Sequence, residues 1–259
     1  MKIGLCAGAA LWSAADITGV DFIEMTVAAD LRPEEPREAV LPALLAAAKQ
    51  FAPQAEVYNV FLPGSLKVVG PDVNPARQKA YLEEALTRAA ALGGSVVVFG
   101  SGGSRNIPDG WPLAEARRQT LAFLACAGDA AQKHGLAIAI EPLNRKECNF
   151  INSVAEGAAL AAELGHPAVG VLSDLYHVTE EGQSYDETRD ALAWLRHVHV
   201  AGLGRRAPIA ADHDYLRGFF AALKAAGYTG RVSIECNWKD LPAEAAESLA
   251  VVRNAWDAA

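Results

Sequence analysis

The chain has 259 residues, 51% of them hydrophobic, enough to bury a large core. Its 31 acidic and 23 basic side chains leave a formal net charge of −8, which argues against polyanionic partners such as nucleic acid and acidic membrane surfaces. No stretch approaches the ~20 apolar residues of a membrane-spanning helix, and Cys6, Cys126, Cys148 and Cys236 form neither a CxxC pair nor a disulfide framework, so they read as reduced thiols.

The opening MKIGLCAG reads as a first strand over 2–6 rather than a secretory signal, and with the cysteine usage it predicts a soluble cytoplasmic protein. A weak helical segment follows over 11–20, then a second apolar run over 22–27 and a third over 55–62. Asn74 before Pro75 is an N-cap with proline at the first helical position; Tyr81, Leu82, Ala85, Leu86, Ala89 and Leu92 mark one face of that helix, and Gly93-Gly94 stops it. A fourth run over 95–100 leads into the longest irregular segment, SGGSRNIPDGW. Its SGGS could cradle an anion through backbone amides or form a tight turn, and the turn is slightly favoured. Pro112 opens a helix closed by Gly135, and a fifth run covers 136–141. The sixth, seventh and eighth runs cover 169–174, 197–200 and 231–235. A helix striped by Tyr215, Leu216, Phe219, Phe220 and Leu223 precedes the eighth, and one striped by Leu249, Val252 and Trp256 follows it.

Nearly continuous apolar strands alternating with helices imply a parallel sheet covered by helices. Eight such units in a chain of this length predict one (β/α)8 barrel occupying residues 1–259 as a single domain. An open doubly wound sheet ranks second, because the first turn, CAGAALW, lacks a GxGxxG fingerprint.

Polar residues stand at the carboxyl ends of the last four strands: Glu141 in AIAIEPLNRKE, Asp174 in VGVLSDLYH, His199 in HVHVAG and Glu235 in RVSIECN. Taken singly, each has an ordinary reading as a solvated cap, an ion-pair member or a hydrogen-bonded core histidine. In a barrel these ends converge on one mouth. Three carboxylates and an imidazole there would repel without a cation, so the set predicts one divalent metal ion, and oxygen and nitrogen ligands without thiolate suit Mn, Mg, Co or Zn. His197 shares a strand face with His199 but lies one layer deeper, where a structural role is expected. Glu24 points inward if Ile23 and Met25 face the helices, and its role stays open between core hydrogen bonding and support of the site.

The segments EPLNRKE, DLYH, HVHVAGLGRR and SIEC resemble the xylose-isomerase-like TIM-barrel superfamily of sugar isomerases and epimerases, in particular the ketose 3-epimerase type. The resemblance spans nearly the whole chain. It implies that Glu141, Asp174, His199 and Glu235 are the metal ligands and that Glu141 and Glu235 are also the acid/base pair. It further implies that His177 and Arg205 hold substrate oxygens and that Glu147 contacts substrate. Arg206 follows Arg205, so the match there could slip by one. The implied activity is isomerase or epimerase action on a sugar or sugar phosphate through an enediolate. The residue types suit that chemistry independently: a cation stabilises the enediolate oxygens while carboxylates move the proton.

An inosose-type dehydratase on the same site and a non-catalytic sugar-binding barrel are the alternatives. Abasic-site endonucleases share the superfamily, but the third and fourth strand ends, VYNVFLPG and FGSGGSR, carry none of the extra histidines of their metal cluster. The expected partner is a small sugar, with neither nucleic acid nor membrane, and homo-oligomerisation is compatible with the sequence. Trp111 and Trp238 are expected in loops at the mouth, either shielding the site from water or covering apolar surface.

Overall fold

The computed structural model describes residues 1–9, 17–50 and 53–259. Eight parallel strands close into a barrel in chain order: β1 (Lys2–Cys6), β2 (Phe22–Thr26), β3 (Ala55–Asn59), β4 (Val96–Phe99), β5 (Ala137–Ile140), β6 (Val169–Asp174), β7 (Leu195–Val200) and β8 (Arg231–Ile234). β8 pairs back onto β1, with Leu5 beside Ile234, so among the described residues the barrel leaves no sheet edge open. The helices α1 (Arg37–Gln50), α2 (Pro75–Ala91), α3 (Leu113–Lys133), α4 (Val154–Leu164), α5 (Leu175–Glu180), α6 (Tyr185–Asp190), α7 (His213–Ala226) and α8 (Leu241–Asp257) surround the strands.

The helix signals act as their chemistry requires. Asn74 accepts a hydrogen bond from the Arg77 amide at the start of α2, and Gly227 closes α7 in the left-handed conformation with φ 84°. Of the segment expected to be helical over 11–20, residues 11–16 lie outside the described residues and 17–20 form a turn.

Two apolar layers follow from strand alternation. Ile3, Leu5, Ile23, Met25, Val97 and Phe99 face the helices in one large cluster. Phe22, Val57, Val96, Val98, Ala139 and Leu172 form a separate plug inside the barrel. Gly4 makes room for that plug, because a Cβ there would stand 2.3 Å from the Phe22 ring.

Strand ends differ slightly from expectation. β3 stops at Asn59, not residue 62, because Val60 turns to φ 45°. β5 and β8 end one residue before Glu141 and Glu235, which frees both carboxylates at the mouth. The SGGS segment forms one helical turn, Gly102–Arg105, whose Gly103 packs on Gly64, and Ser101 accepts a hydrogen bond from the Leu62 amide.

Candidate active site

The ends of β5, β6, β7 and β8 bring Glu141, Asp174, His199 and Glu235 together, with one potential ligand atom from each inside a mutual distance of 4.8 Å. His199 Nδ1 lies 3.3 Å from Glu141 Oε1 and 3.5 Å from Glu235 Oε2. Glu141 Oε1, Asp174 Oδ2 and His199 Nδ1 are all buried without a hydrogen-bond partner. Buried polar atoms are normally paired. Three unpartnered acceptors aimed at one point, backed by a further carboxylate, form a donor set that fits a hard or borderline divalent cation.

The surrounding residues orient these donors. Asp174 ends β6 and caps α5: its Oδ1 accepts from the Tyr176 amide at 2.8 Å, leaving Oδ2 free. His199 Nε2 lies 2.9 Å from Glu24 Oε1. That contact holds a ring proton on Nε2, so the proton that a cation would displace is the one on Nδ1, which faces the cluster. Glu24 also bonds His197 Nε2 at 3.1 Å, and Ser233 Oγ meets the same nitrogen at 2.9 Å. Glu24 thus hydrogen-bonds both the core residue His197 and His199 of the candidate cluster. His197 is fully buried one layer below His199, against the Phe22 ring.

Fully buried Arg105 donates to the Phe99 and Glu141 backbone carbonyls, at 3.0 and 2.7 Å, and so pins the ends of β4 and β5 together. Gly100 leaves space for the Glu141 carboxylate, since a Cβ there would meet Glu141 Oε2 at 2.2 Å.

Charge within the cluster is unbalanced. Burial pushes the Asp174 carboxyl up to about 6; the Glu235 and Glu141 charges add to this, and His177 and His199 oppose it. Burial also opposes ionisation of Glu235, but His199 and Arg205 outweigh it and hold that carboxyl at about 2. His199 resists burial because Glu24 and Glu235 raise its imidazole well above the usual range. A cation at the donor set would take over the role of those protons.

The residues matched to substrate contacts stand around this cluster. Arg205 donates to Glu235 Oε2 at 2.6 Å and approaches Glu147 Oε1 at 3.3 Å, with its guanidinium 5.0 Å over the Tyr176 ring. Arg206 turns away to pair with buried Asp212, so Arg205 is the arginine at the mouth. His177 Nε2 stands 3.7 Å from Asp174 Oδ2. A cavity of about 380 Å³ opens beside Glu235, walled by Cys6, Glu24, Asp30, Asn59 and Arg205. Trp238 donates its indole N–H to the Cys6 carbonyl at 3.1 Å, and both Trp111 and Trp238 pack on the outer apolar cluster.

Sequence reasoning missed Asn59, Asn144 and Arg105. Asn59 donates to Glu235 Oε1 at 3.2 Å; a polar residue interrupting the apolar run VYNVF was its signal. Asn144 lies inside the quoted EPLNRKE motif. Arg105 had no signal, because a buried arginine is recognisable only from its tertiary partners.

The family model for the xylose isomerase-like TIM barrel matches residues 12–255, and the chain belongs to that family. It is similar to a ketose 3-epimerase of Arthrobacter globiformis, 31% identical over 130 residues, covering 49% of this chain and 45% of that protein. It is also similar to a putative hydroxypyruvate isomerase of Streptomyces coelicolor, 30% identical over 224 residues, covering 80% of this chain and 77% of that protein. The chain thus spans about half the length of the ketose 3-epimerase it matches. In fold it resembles the solved D-allulose 3-epimerase of Methylomonas sp. in complex with D-allulose, with a TM-score of 0.80 at 24% identity, covering 98% of this chain and 96% of that one. Among the described residues no helix is long and apolar enough to cross a membrane.

Proposed function

We propose that this protein is a metal-dependent sugar epimerase or isomerase, with Glu141, Asp174, His199 and Glu235 as metal ligands and Glu141 and Glu235 as the acid/base pair. The observation that carries this reading is the convergence of buried, unpartnered donor atoms from consecutive strand ends. The named activities of the relatives, ketose 3-epimerase and putative hydroxypyruvate isomerase, support it.

A divalent cation, when bound, supplies Lewis-acid stabilisation of negative charge on the substrate's carbonyl and neighbouring oxygens. The side chains do the rest. Removing a proton beside a carbonyl needs a positioned base. Glu141 and Glu235 come from β5 and β8 and approach the site from different sides. One takes the proton from carbon, leaving an enediolate. For epimerisation, the other returns a proton to the opposite face of the same carbon. For aldose–ketose isomerisation, the proton returns to the adjacent carbon, and the hydroxyl proton of the deprotonated carbon passes to the former carbonyl oxygen. Arg205 and His199 keep Glu235 ionised and able to accept a proton. His177, Arg205 and Glu147 hold substrate oxygens.

The test is proton exchange in D₂O, followed by NMR with the Mn²⁺-, Mg²⁺- or Co²⁺-loaded protein and a panel of ketoses, aldoses and their phosphates. The expected result is deuterium at the carbon beside the carbonyl and a stereoisomeric or isomeric product; no exchange with any member overturns the reading. Glu141→Gln and Glu235→Gln should each lower turnover by about 10²–10⁴ with the metal saturating. Full recovery in excess metal would show these carboxylates to be ligands alone.

A further inference from the structure

His177 has two ring nitrogens, and a substrate oxygen acting as acceptor needs a proton on the one that faces it. Nδ1 of His177 is met by two groups of Asn144: the backbone N–H at 3.0 Å and the side-chain Nδ2 at 2.9 Å. The backbone group can only donate. The amide orientation is also fixed by its other contacts. Asn144 Oδ1 accepts from the Lys146 backbone N–H at 3.1 Å, and Nδ2 donates to Glu147 Oε1 at 3.0 Å. A flipped amide would set oxygen against carboxylate oxygen and N–H against N–H, losing both bonds. With two donors on Nδ1, that nitrogen must be the acceptor and the ring proton must sit on Nε2. Nε2 is buried, has no hydrogen-bond partner and lies 3.7 Å from Asp174 Oδ2. An unsatisfied buried donor is costly unless a ligand completes it.

We infer that Asn144 is a positioning residue that locks His177 in its Nε2–H tautomer and so presents a hydrogen-bond donor to a substrate oxygen beside Asp174. The same amide anchors Glu147, which lies within reach of Arg205. Asn144 is 1% exposed and His177 2%, so water does not compete for these bonds. The inference rests on the substrate-holding role of His177 proposed above, but the tautomer itself needs neither substrate nor metal.

Long-range ¹H–¹⁵N correlation spectra of histidine-labelled protein, metal-free and then with Mg²⁺, read the tautomer directly; His177→Gln identifies the signal. The expected result is a protonated Nε2 and a bare Nδ1 in both spectra. A proton on Nδ1, or the averaged pattern of an unrestrained imidazole, overturns the inference and needs no variant to be interpreted. Asn144→Asp puts an acceptor opposite Nδ1 at nearly the same volume. A charge-assisted bond to the new carboxylate should outweigh the single backbone N–H that remains, place a proton on Nδ1 and lower kcat/KM by about 10–100-fold with metal content unchanged. Asn144→Ala, which keeps the backbone donor, should retain the Nε2–H form. An unaltered tautomer in folded Asn144→Asp protein removes the positioning role. If the tautomer behaves as expected in all three proteins while the sugar panel shows no exchange, the proposed activity fails and the Asn144–His177 assignment stands.

Discussion

At the proposed metal site, protons and a divalent cation would compete for the same atoms of Asp174 and His199. Burial raises the Asp174 carboxyl to about 6, and the facing carboxylates raise His199 against its burial. Both groups bind a proton more tightly folded than unfolded. For Asp174, ionisation therefore costs the metal-free fold stability as pH rises from the unfolded carboxyl value of about 3.9 toward the folded value. The cation needs both groups deprotonated. Calorimetric affinity for Mn²⁺ should accordingly fall as the pH drops from about 8 to about 5. Glu235, already held at about 2, contributes nothing to that slope. Affinity that stays flat over this range would remove Asp174 and His199 from the ligand set. All four candidate ligands were legible as residues, because a polar side chain ending an apolar run is conspicuous. Glu24 was visible too, but its simultaneous hold on His197 and His199 depends on β2 and β7 facing each other across the barrel, a relation that no local pattern encodes.

At the scale of elements, the strands do more than point residues inward; their glycines set how closely the layers approach. Gly100 follows β4 where any Cβ would collide with the Glu141 carboxylate. Gly100→Ala should displace that carboxylate and lower cation affinity by about 10–100-fold, as is usual when a ligand loses its orientation. Titration calorimetry checks it, and affinity equal to that of the unsubstituted protein would show that Glu141 has room to spare. Gly4 plays the structural counterpart on β1, against the Phe22 ring in the inner plug. Gly4→Ala should destabilise the fold by about 1–3 kcal/mol through overpacking, read from urea unfolding. It should leave cation binding alone, because the plug lies below the donor layer. The sequence marked the strands to within a residue or two at most ends. It overran β3, where Val60 adopts a left-handed conformation unusual for a β-branched residue and unsignalled by the residues around it.

For the whole molecule, ring closure makes every strand depend on two neighbours, with β8 returning to β1. Such a barrel offers no boundary at which part of it could melt alone. If, as we propose, the chain is a single domain, calorimetric unfolding should show a single transition, and two resolved transitions would refute that. A cation that binds only the folded form should raise that transition by several degrees, since ligand at about 100 times its Kd contributes about 2.7 kcal/mol. Glu141→Gln/Glu235→Gln should abolish the shift; a shift that persists in the double variant would place the cation elsewhere.

The sequence by itself determined the strand–helix alternation, the barrel and the four polar strand ends, because hydrophobic periodicity and capping chemistry are local and each strand needs only its own residues to declare itself. Tertiary structure decided what those ends do together. It selected Arg205 over Arg206 by seating Asp212 beneath the latter, buried Arg105 against two strand ends, and brought Asn144 to His177 across 33 positions of chain. These relations are set by which side chains meet after ring closure, and hydrogen bonds between distant segments leave no period in the chain that forms them.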